Sequence, residues 1–466
     1  MEFETIVGLE FHIQMKTKSK MFSSAPVTFG DEPNTHVSPL DMAFPGTLPL
    51  VNKQAVINAI RVCAALHMTI DNELWFDRKN YFYSDLPKGY QITQQFRPIG
   101  RDGYLIIDGK QINIERLHLE EDTCKQLHLS DCSLLDFNRA GIPLLEIVSR
   151  PEIRSGKEAM KIAEHIRSIV TFLDVSDGKM EQGSLRCDVN VSIREKGKKE
   201  FGQKVEIKNL NSISNIQKAI DYEIQRQKNL IINGNKIAQD TRRYDEKAKK
   251  TMPMRLKTDS IDYKFFFDAN IVPIRLNQDF IDITIKTSPE LAETKLKRYL
   301  ALGIKESQCS SLLSSKELSD YFDEMLKEGA DPTLSANWVT VDVQSVLNKK
   351  EVDITKFIIS PHQLAKLIAL ISNQSITNKQ ARELFNRMLE GDDCLNQLSD
   401  EEALSTDVIA KHINDIIENN PHCVSDYKNG KDKVVSFIVG QIMKRTQGRA
   451  NPSLTNKMVL EELQRR

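Results

Sequence analysis

The stretch SLRCDVNVSIR, Ser184–Arg194, alternates without a break: Leu185, Cys187, Val189, Val191 and Ile193 are apolar, and Ser184, Arg186, Asp188, Asn190, Ser192 and Arg194 are polar. A period of two marks a β-strand with one face on a core. Its other face places Arg, Asp and Asn at successive outward positions, and these are groups that bind phosphate or metal. A solvated sheet face is the ordinary alternative. Gly178 and Gly183, just upstream, stand where a chain must turn tightly.

Three further segments have the same grammar. In Ile6–Met15, residues Val7, Leu9, Phe11, Ile13 and Met15 share one side and Gly8, Glu10, His12 and Gln14 the other, so Glu10 and His12 project together. In VEIKNLNS, Lys204, Glu206 and Lys208 oppose Val205 and Ile207. In INIERLHLEEDTCK, residues Ile114, Arg116, His118 and Glu120 have one parity and Glu115, Leu117, Leu119 and Glu121 the other, so register decides which glutamate meets the polar faces. Three adjacent acids, Glu120 to Asp122, are costly at a strand end unless positive charge sits there, and a divalent cation meets that need.

Between Met21 and Pro49 the periodicity stops, and Pro26, Gly30, Pro33, Pro39, Pro45, Gly46 and Pro49 predict a long ordered loop. Asn52 opens an amphipathic helix reaching about His67, Ser155 caps one reaching about Leu173, and Ile213–Ile232 is a third. FDRKNYFYSDLPKGYQITQ, Phe76–Gln94, interleaves Arg78, Lys79 and Lys88 with Tyr81, Phe82, Tyr83 and Tyr90, a mixture that can stack on bases and neutralise phosphates, or simply pack as a hairpin. Asn138 and Arg139 precede a buried apolar run in DFNRAGIPLLEIVSRPEI. From about Ser288 the text turns helical, with Pro289 in a first turn and Gly303 as a stop. The fold class expected is α+β: a large antiparallel-sheet domain at 1–290, an all-α domain at 291–398 and a small helical tail domain at 399–466. Between Tyr427 and Arg466 nine basic residues outnumber three acidic ones, Lys444, Arg445 and Arg449 among them. That excess can attract nucleic acid, although a solvated helix face is the default reading.

Composition narrows the class. A net charge of -1 over 466 residues gives no global pull on nucleic acid, so any such contact must be local. Seven scattered cysteines without a CxxC pair suggest a reducing compartment, with neither a disulfide framework nor a zinc site of the usual spacing. The absence of a run of about eighteen apolar residues, and the acidic start MEFETIVGLEF, argue against membrane insertion, secretion or a transit peptide.

VGLEFHIQ, FDRKNYFYSDLPKGYQI, LHLEED, DFNRAGIPLLEIVSRPEIRS, SDGKMEQGSLRCDVNVS, KVEIKNLNS and GRANP together resemble the signature segments of the B subunit of the glutamyl-tRNA(Gln)/aspartyl-tRNA(Asn) amidotransferase, in family order from near residue 6 to near 455. The resemblance implies a cradle-like first domain that uses ATP and Mg²⁺ to phosphorylate the side-chain carboxylate of a misacylated Glu-tRNA(Gln) or Asp-tRNA(Asn). Ammonia from the amidase, the A subunit, then displaces phosphate, with a small C subunit completing a cytoplasmic heterotrimer. Glu10, His12, Arg139 and Arg186 become the catalytic candidates. Glu10, Glu120 or Glu121, and Asp188 are hard oxygen ligands suited to Mg²⁺, with His12 a less typical one. Lys79, Asn190 and Lys208 are assigned to the nucleotide, for which no Walker-type glycine loop exists. Arg78, Tyr81, Tyr83, Lys88, Lys444, Arg445 and Arg449 are assigned to tRNA. Many members carry four cysteines where this chain has Ser23, Ala25, Ser38 and Asp41, so no zinc is expected there. The rival readings are a non-catalytic tRNA scaffold, which would retain phosphorylation after Glu10 or Asp188 is changed, and a metal-dependent nuclease, which would degrade tRNA with Mg²⁺.

Overall fold

The computed structural model describes residues 2–256, 262–397, 406–428, 433–446, 450 and 452–466. The chain divides into two units, Met1–Leu291 and Ala292–Arg466. The first is built on a nine-stranded sheet. In chain order its strands are β1 (Phe3–Gln14), β2 (Thr69–Ile70), β3 (Gly100–Ile107), β4 (Lys110–Glu121), β5 (Pro143–Ser149), β6 (Leu185–Glu195), β7 (Val205–Lys208), β8 (Asp240–Asp245) and β9 (Lys250–Leu256). Their spatial order is β9-β8-β7-β6-β1-β5-β4-β3-β2. All neighbours run antiparallel except β7 and β8, which are parallel.

The stretch that opened the sequence is β6, and it pairs along nearly its whole length with β1. Both turn Leu, Val, Ile and Phe to one side, where the helices Lys53–Ala65, Gly156–Phe172 and Ile213–Ile232 close the core. Each helix starts where a side chain accepts from its first free N–H groups: Asn52, Ser155 and Ser212. Each Leu or Ile buried in this layer stabilises the fold by roughly 1.5–3 kcal/mol. The sheet's polar face is therefore fixed by what the other face must bury.

One expectation of parity fails. Ile114 does not share a face with Arg116, because the register shifts where Ser149 meets Ile114 while Val148 meets Arg116, leaving Glu115 as an extra residue. That bulge lets Ile112 and Ile114, as well as Leu117 and Leu119, reach the core.

A smaller sheet sets Asp77–Asn80 between Tyr90–Thr93 and Phe266–Phe267. The segment from Ser23 to Asn52 has no regular strand or helix. It is fastened by Lys20, whose buried Nζ donates to Asp41 Oδ2 (2.9 Å) and the Phe137 carbonyl (3.1 Å). Asp41 also accepts from Ser23 Oγ (3.1 Å) and the Ser38 N–H (2.9 Å).

The second unit contains only helices among its described residues. Two apolar clusters form within it, one spanning Tyr299–Cys394 and one spanning Ile409–Leu463. The boundary expected at 398/399 lies outside the described residues. Among the described residues no helix is long and apolar enough to cross a membrane.

In the first of those clusters the buried Lys295 Nζ meets Asp320 (2.6 Å) and Asp323 (2.9 Å). Burial raises both carboxyls, but Lys295 and Lys316 at Asp320, and Arg298 and Lys295 at Asp323, outweigh it and leave both below their usual range. A folded-state value below the unfolded one stabilises above the unfolded pKa, about 3.9, and the contribution is lost as pH falls through the folded value. The protection factors of amides in Lys316–Lys327, corrected for the intrinsic pH dependence of exchange, are therefore expected to hold from pH 7 to 5 and to fall below about pH 4. An Asp323→Asn variant should flatten that dependence, and an unchanged profile would contradict the linkage.

Candidate active site

The register lays the polar face out in rows. Asp188 on β6 lies opposite Glu10 on β1. Arg186 lies opposite His12, His12 opposite Glu146 on β5, and Glu146 opposite His118 on β4. In the next row Gln14 faces Leu144, and Leu144 faces Glu120. Asn190 faces Gly8 on one side and Glu206 on β7 on the other. Glu10, His12, Glu120, Asp188, Arg186 and Asn190 thus share one face.

Two residues that sequence reasoning left out of the site sit in it. Glu146 hid in what reads as a buried apolar run, yet it is the single charged residue between Ile142 and Val148, and that isolation was the available signal. Its Oε2 lies 3.5 Å from His12 Nε2 and 3.2 Å from His118 Nε2. His118 also approaches Glu120 Oε2 at 3.7 Å. One ligand atom from each of His12, Glu120 and Glu146 falls within 4.8 Å of the other two.

The electrostatics follow from this crowding. Burial opposes charge on His118, but Glu146 and Glu120 override it and push the imidazolium up to about 9. His12 moves upward for the same reasons. Burial alone would raise Glu146, but the two histidines hold it well below the usual carboxylate range. Glu10 is raised, first by burial and then by Glu146 and Asp188. An acid kept uncomfortable by other acids is relieved by a cation.

A second group extends towards β7. Asn190 Nδ2 donates to Glu10 Oε1 (2.8 Å). Lys208 Nζ pairs with Asp188 and, at 3.1 Å, with Glu206. Burial works against the Lys208 charge, and the two carboxylates more than offset it, so its pKa is raised.

The acidic run is resolved differently from expectation. Glu121 and Asp122 each receive a protein cation, and only Glu120 joins the cluster. Glu121 has the opposite parity and pairs with Lys88, while also accepting the Ile92 N–H (3.0 Å), so it is withdrawn as a metal ligand. Asp122 takes Arg186 Nη2 at 3.0 Å. Burial raises Asp122, but Arg186 and Arg139 prevail and lower it.

The aromatic segment also needs correction. Lys88 is only 8% exposed and occupied by Glu121, so it is not available to a phosphate. Arg78 is paired with Asp268 (3.0 Å) and lies over the Tyr90 ring (4.1 Å). Lys79 Nζ rests 4.9 Å from the Tyr263 ring centre. Tyr81 meets Tyr263 edge-on at 5.9 Å, and its hydroxyl is raised by burial and by Asp85, Glu120 and Glu121. Tyr83 and Phe82 are exposed. Gln14, Lys125, Asn138 and Arg139 line a groove of about 1430 Å³. In the second unit Lys444 and Arg445 are exposed at a helix end, and Arg449 lies outside the described residues.

Comparison with known proteins adds the following. Residues 5–282 match the family model described as the GatB/GatE catalytic domain, and residues 320–463 match the GatB domain. Proteins named as the B subunit of aspartyl/glutamyl-tRNA(Asn/Gln) amidotransferase, from Staphylococcus sp and Staphylococcus haemolyticus, are each 45% identical over 480 aligned positions covering the whole of both chains. One of the same name from Lysinibacillus sphaericus is 44% identical over the same extent.

Proposed function

The chain belongs to the GatB/GatE family as the B subunit of the tRNA-dependent amidotransferase, a ligase acting on Glu-tRNA(Gln) or Asp-tRNA(Asn), and we propose that the polar face centred on Glu146 is where ATP phosphorylates the misacylated amino acid. The observation that carries this is the convergence of His12, Glu120 and Glu146 beside Arg186. The two hard carboxylates fit Mg²⁺, with His12 the less typical ligand and Glu10 and Asp188 as further oxygen donors nearby. When bound, the ion neutralises charge on the transferring phosphoryl group.

The chain's own residues do the rest. Transfer requires a carboxylate oxygen of the substrate to attack the γ-phosphorus while the bond to the ADP oxygen breaks. Two anions must approach, so the site's task is charge neutralisation and alignment. Arg186 and Arg139 face that need with guanidinium groups suited to phosphate oxygens. His12 must surrender its proton to serve as a ligand, and Glu146 is placed to hold the ring while Nε2 still carries that proton. Lys79, Asn190 and Lys208 are assigned to the nucleotide, Lys208 by exchanging Asp188 or Glu206 for phosphate. The groove beside Gln14 and Arg139 is large enough for the aminoacylated end of a tRNA, with Tyr81 and Tyr83 at the neighbouring hairpin.

Ammonia then attacks the activated carbonyl carbon and phosphate leaves. The separate amidase subunit is assigned the supply of ammonia, since no nucleophile constellation of the amidase type occurs among the described residues, and the small C subunit completes a cytoplasmic complex. Seven free cysteines suit a reducing compartment. No zinc is assigned to the loop at Ser23, Ala25, Ser38 and Asp41, which offers no thiolate. The decisive experiment measures ADP release by the assembled enzyme on misacylated tRNA after Glu10→Gln or Asp188→Asn. Loss of release fits the proposal, and full retention would leave the chain a scaffold.

The tail is assigned tRNA affinity without chemistry. Lys444, Arg445 and Arg449 can add phosphate contacts, which position a nucleic acid without reading bases. The apolar cluster of Ile409–Leu463 is distinct from that of Tyr299–Cys394, so truncation after Asn396 leaves the latter complete. The truncated chain should bind tRNA about tenfold or more weakly with a shallower salt slope, and turn over normally at saturating tRNA. Unchanged affinity would remove the tail from this role.

A further inference from the structure

Asp122 has no assigned task in phosphoryl transfer, yet it is the most heavily engaged acid beside the site. Its side chain is 3% exposed. Oδ2 accepts from Gln14 Nε2 (2.8 Å) and Arg186 Nη2 (3.0 Å), while Oδ1 accepts the Thr123 N–H (2.9 Å). Its backbone is pinned by Ile142 and Gly141, each at 2.9 Å. Arg139 Nε lies 3.9 Å from the same Oδ2 and donates, with Nη2, to the carbonyls of Thr123 (2.9 Å) and Cys124 (2.7 Å).

Arg186 is only half satisfied. Its Nε is buried without a hydrogen-bond partner, although the side chain as a whole is 37% exposed. A buried donor left unpaired is destabilising, and an arriving anion would relieve it. The competing outcome is also nearby, since Glu120 and Asp188 both attract Arg186 electrostatically. A guanidinium that swung to either would consume a carboxylate offered to the cation and turn its donors from the phosphate.

We propose that Asp122 is a positioning residue: it holds Arg186 away from Glu120 and Asp188 so that the unused N–H groups of Arg186 meet the anion being transferred. This deepens the phosphoryl-transfer reading and rests on it. Gln14, sharing Oδ2, fixes the direction in which that carboxylate points.

The test is a double-mutant cycle in the assembled amidotransferase, following ADP release with misacylated Glu-tRNA, ATP and Mg²⁺. Asp122→Asn keeps the volume but removes the charge, and should lower kcat about 10–100-fold with KM for tRNA unchanged. In an Arg186→Met background the same change should cost about twofold or less, because residues acting through one another are not additive. A full additional loss there would overturn the Asp122 proposal while sparing the phosphoryl-transfer reading. An Arg186→Met enzyme as active as wild type would overturn both. Should Asp122→Asn fail to fold, Gln14→Leu, which takes one bond from the same oxygen and leaves the charge, gives the same cycle: a cost confined to the Arg186 background supports the proposal, and a cost independent of background overturns it.

Discussion

Glu146→Gln is expected to lower ATP-dependent turnover about 10³-fold, on the order of 4 kcal/mol of transition-state stabilisation. The amide keeps the shape but loses the charge that His12 and His118 both address. Without that charge the burial of both rings is no longer offset and their imidazolium forms lose support, and the ligand set would lose its central oxygen donor. Mn²⁺ titration, which needs no turnover, should show affinity reduced about 100-fold. The contrasting variant is Glu121→Gln, which breaks the pair with Lys88 but lies on the other parity and should leave Mn²⁺ affinity intact. Equal losses in the two variants, or none in Glu146→Gln, would mean that the ligand set has been drawn wrongly.

Asp41→Ala is expected to destabilise the first unit by about 3–5 kcal/mol, the cost of abandoning one member of a buried ion pair. Lys20 is completely buried, and its only carboxylate within ion-pair distance among the described residues is Asp41. Burial already lowers the Lys20 pKa against the pull of Asp41. Removing Asp41 leaves the ammonium with one carbonyl and deprives Ser23 and Ser38 of their acceptor. The double variant Lys20→Met, Asp41→Leu should recover most of the loss, since apolar groups of similar volume often replace a buried pair at little cost. Urea unfolding decides the point: a double variant as unstable as the single one would show that the loop depends on the charges themselves.

How much of this was legible depended on whether a signal was local. Strand parity placed Glu10, His12, Arg186 and Asp188 on one face because β1 and β6 have unbroken alternation, and alternation is a property of a single segment. Glu146 was missed because β5 contributes one polar residue to the site, and one residue has no period. The choice between Glu120 and Glu121 needed the register of β4 on β5, together with a bulge at Glu115 that the sequence does not mark. Lys88 and Arg78 had the right composition for phosphate, but their acidic partners Glu121 and Asp268 come from distant segments. The Lys20–Asp41 pair was equally hidden, since nothing in a proline-rich loop says that a lysine before it is buried.

The sheet order has a consequence for how the chain is made. β1 leaves the ribosome first, yet its neighbours are β5 and β6, whose last residues are Ser149 and Glu195. At roughly 5–20 residues per second, on the order of 10–40 s separates the synthesis of this strand from that of its second neighbour. During that interval Val7, Leu9, Phe11 and Ile13 have no finished layer to cover them, and the edge that β6 will pair stays open to the end of it. The strand at the centre of the finished polar face is thus, in the nascent chain, a segment open to chaperones and to pairing with a neighbouring copy.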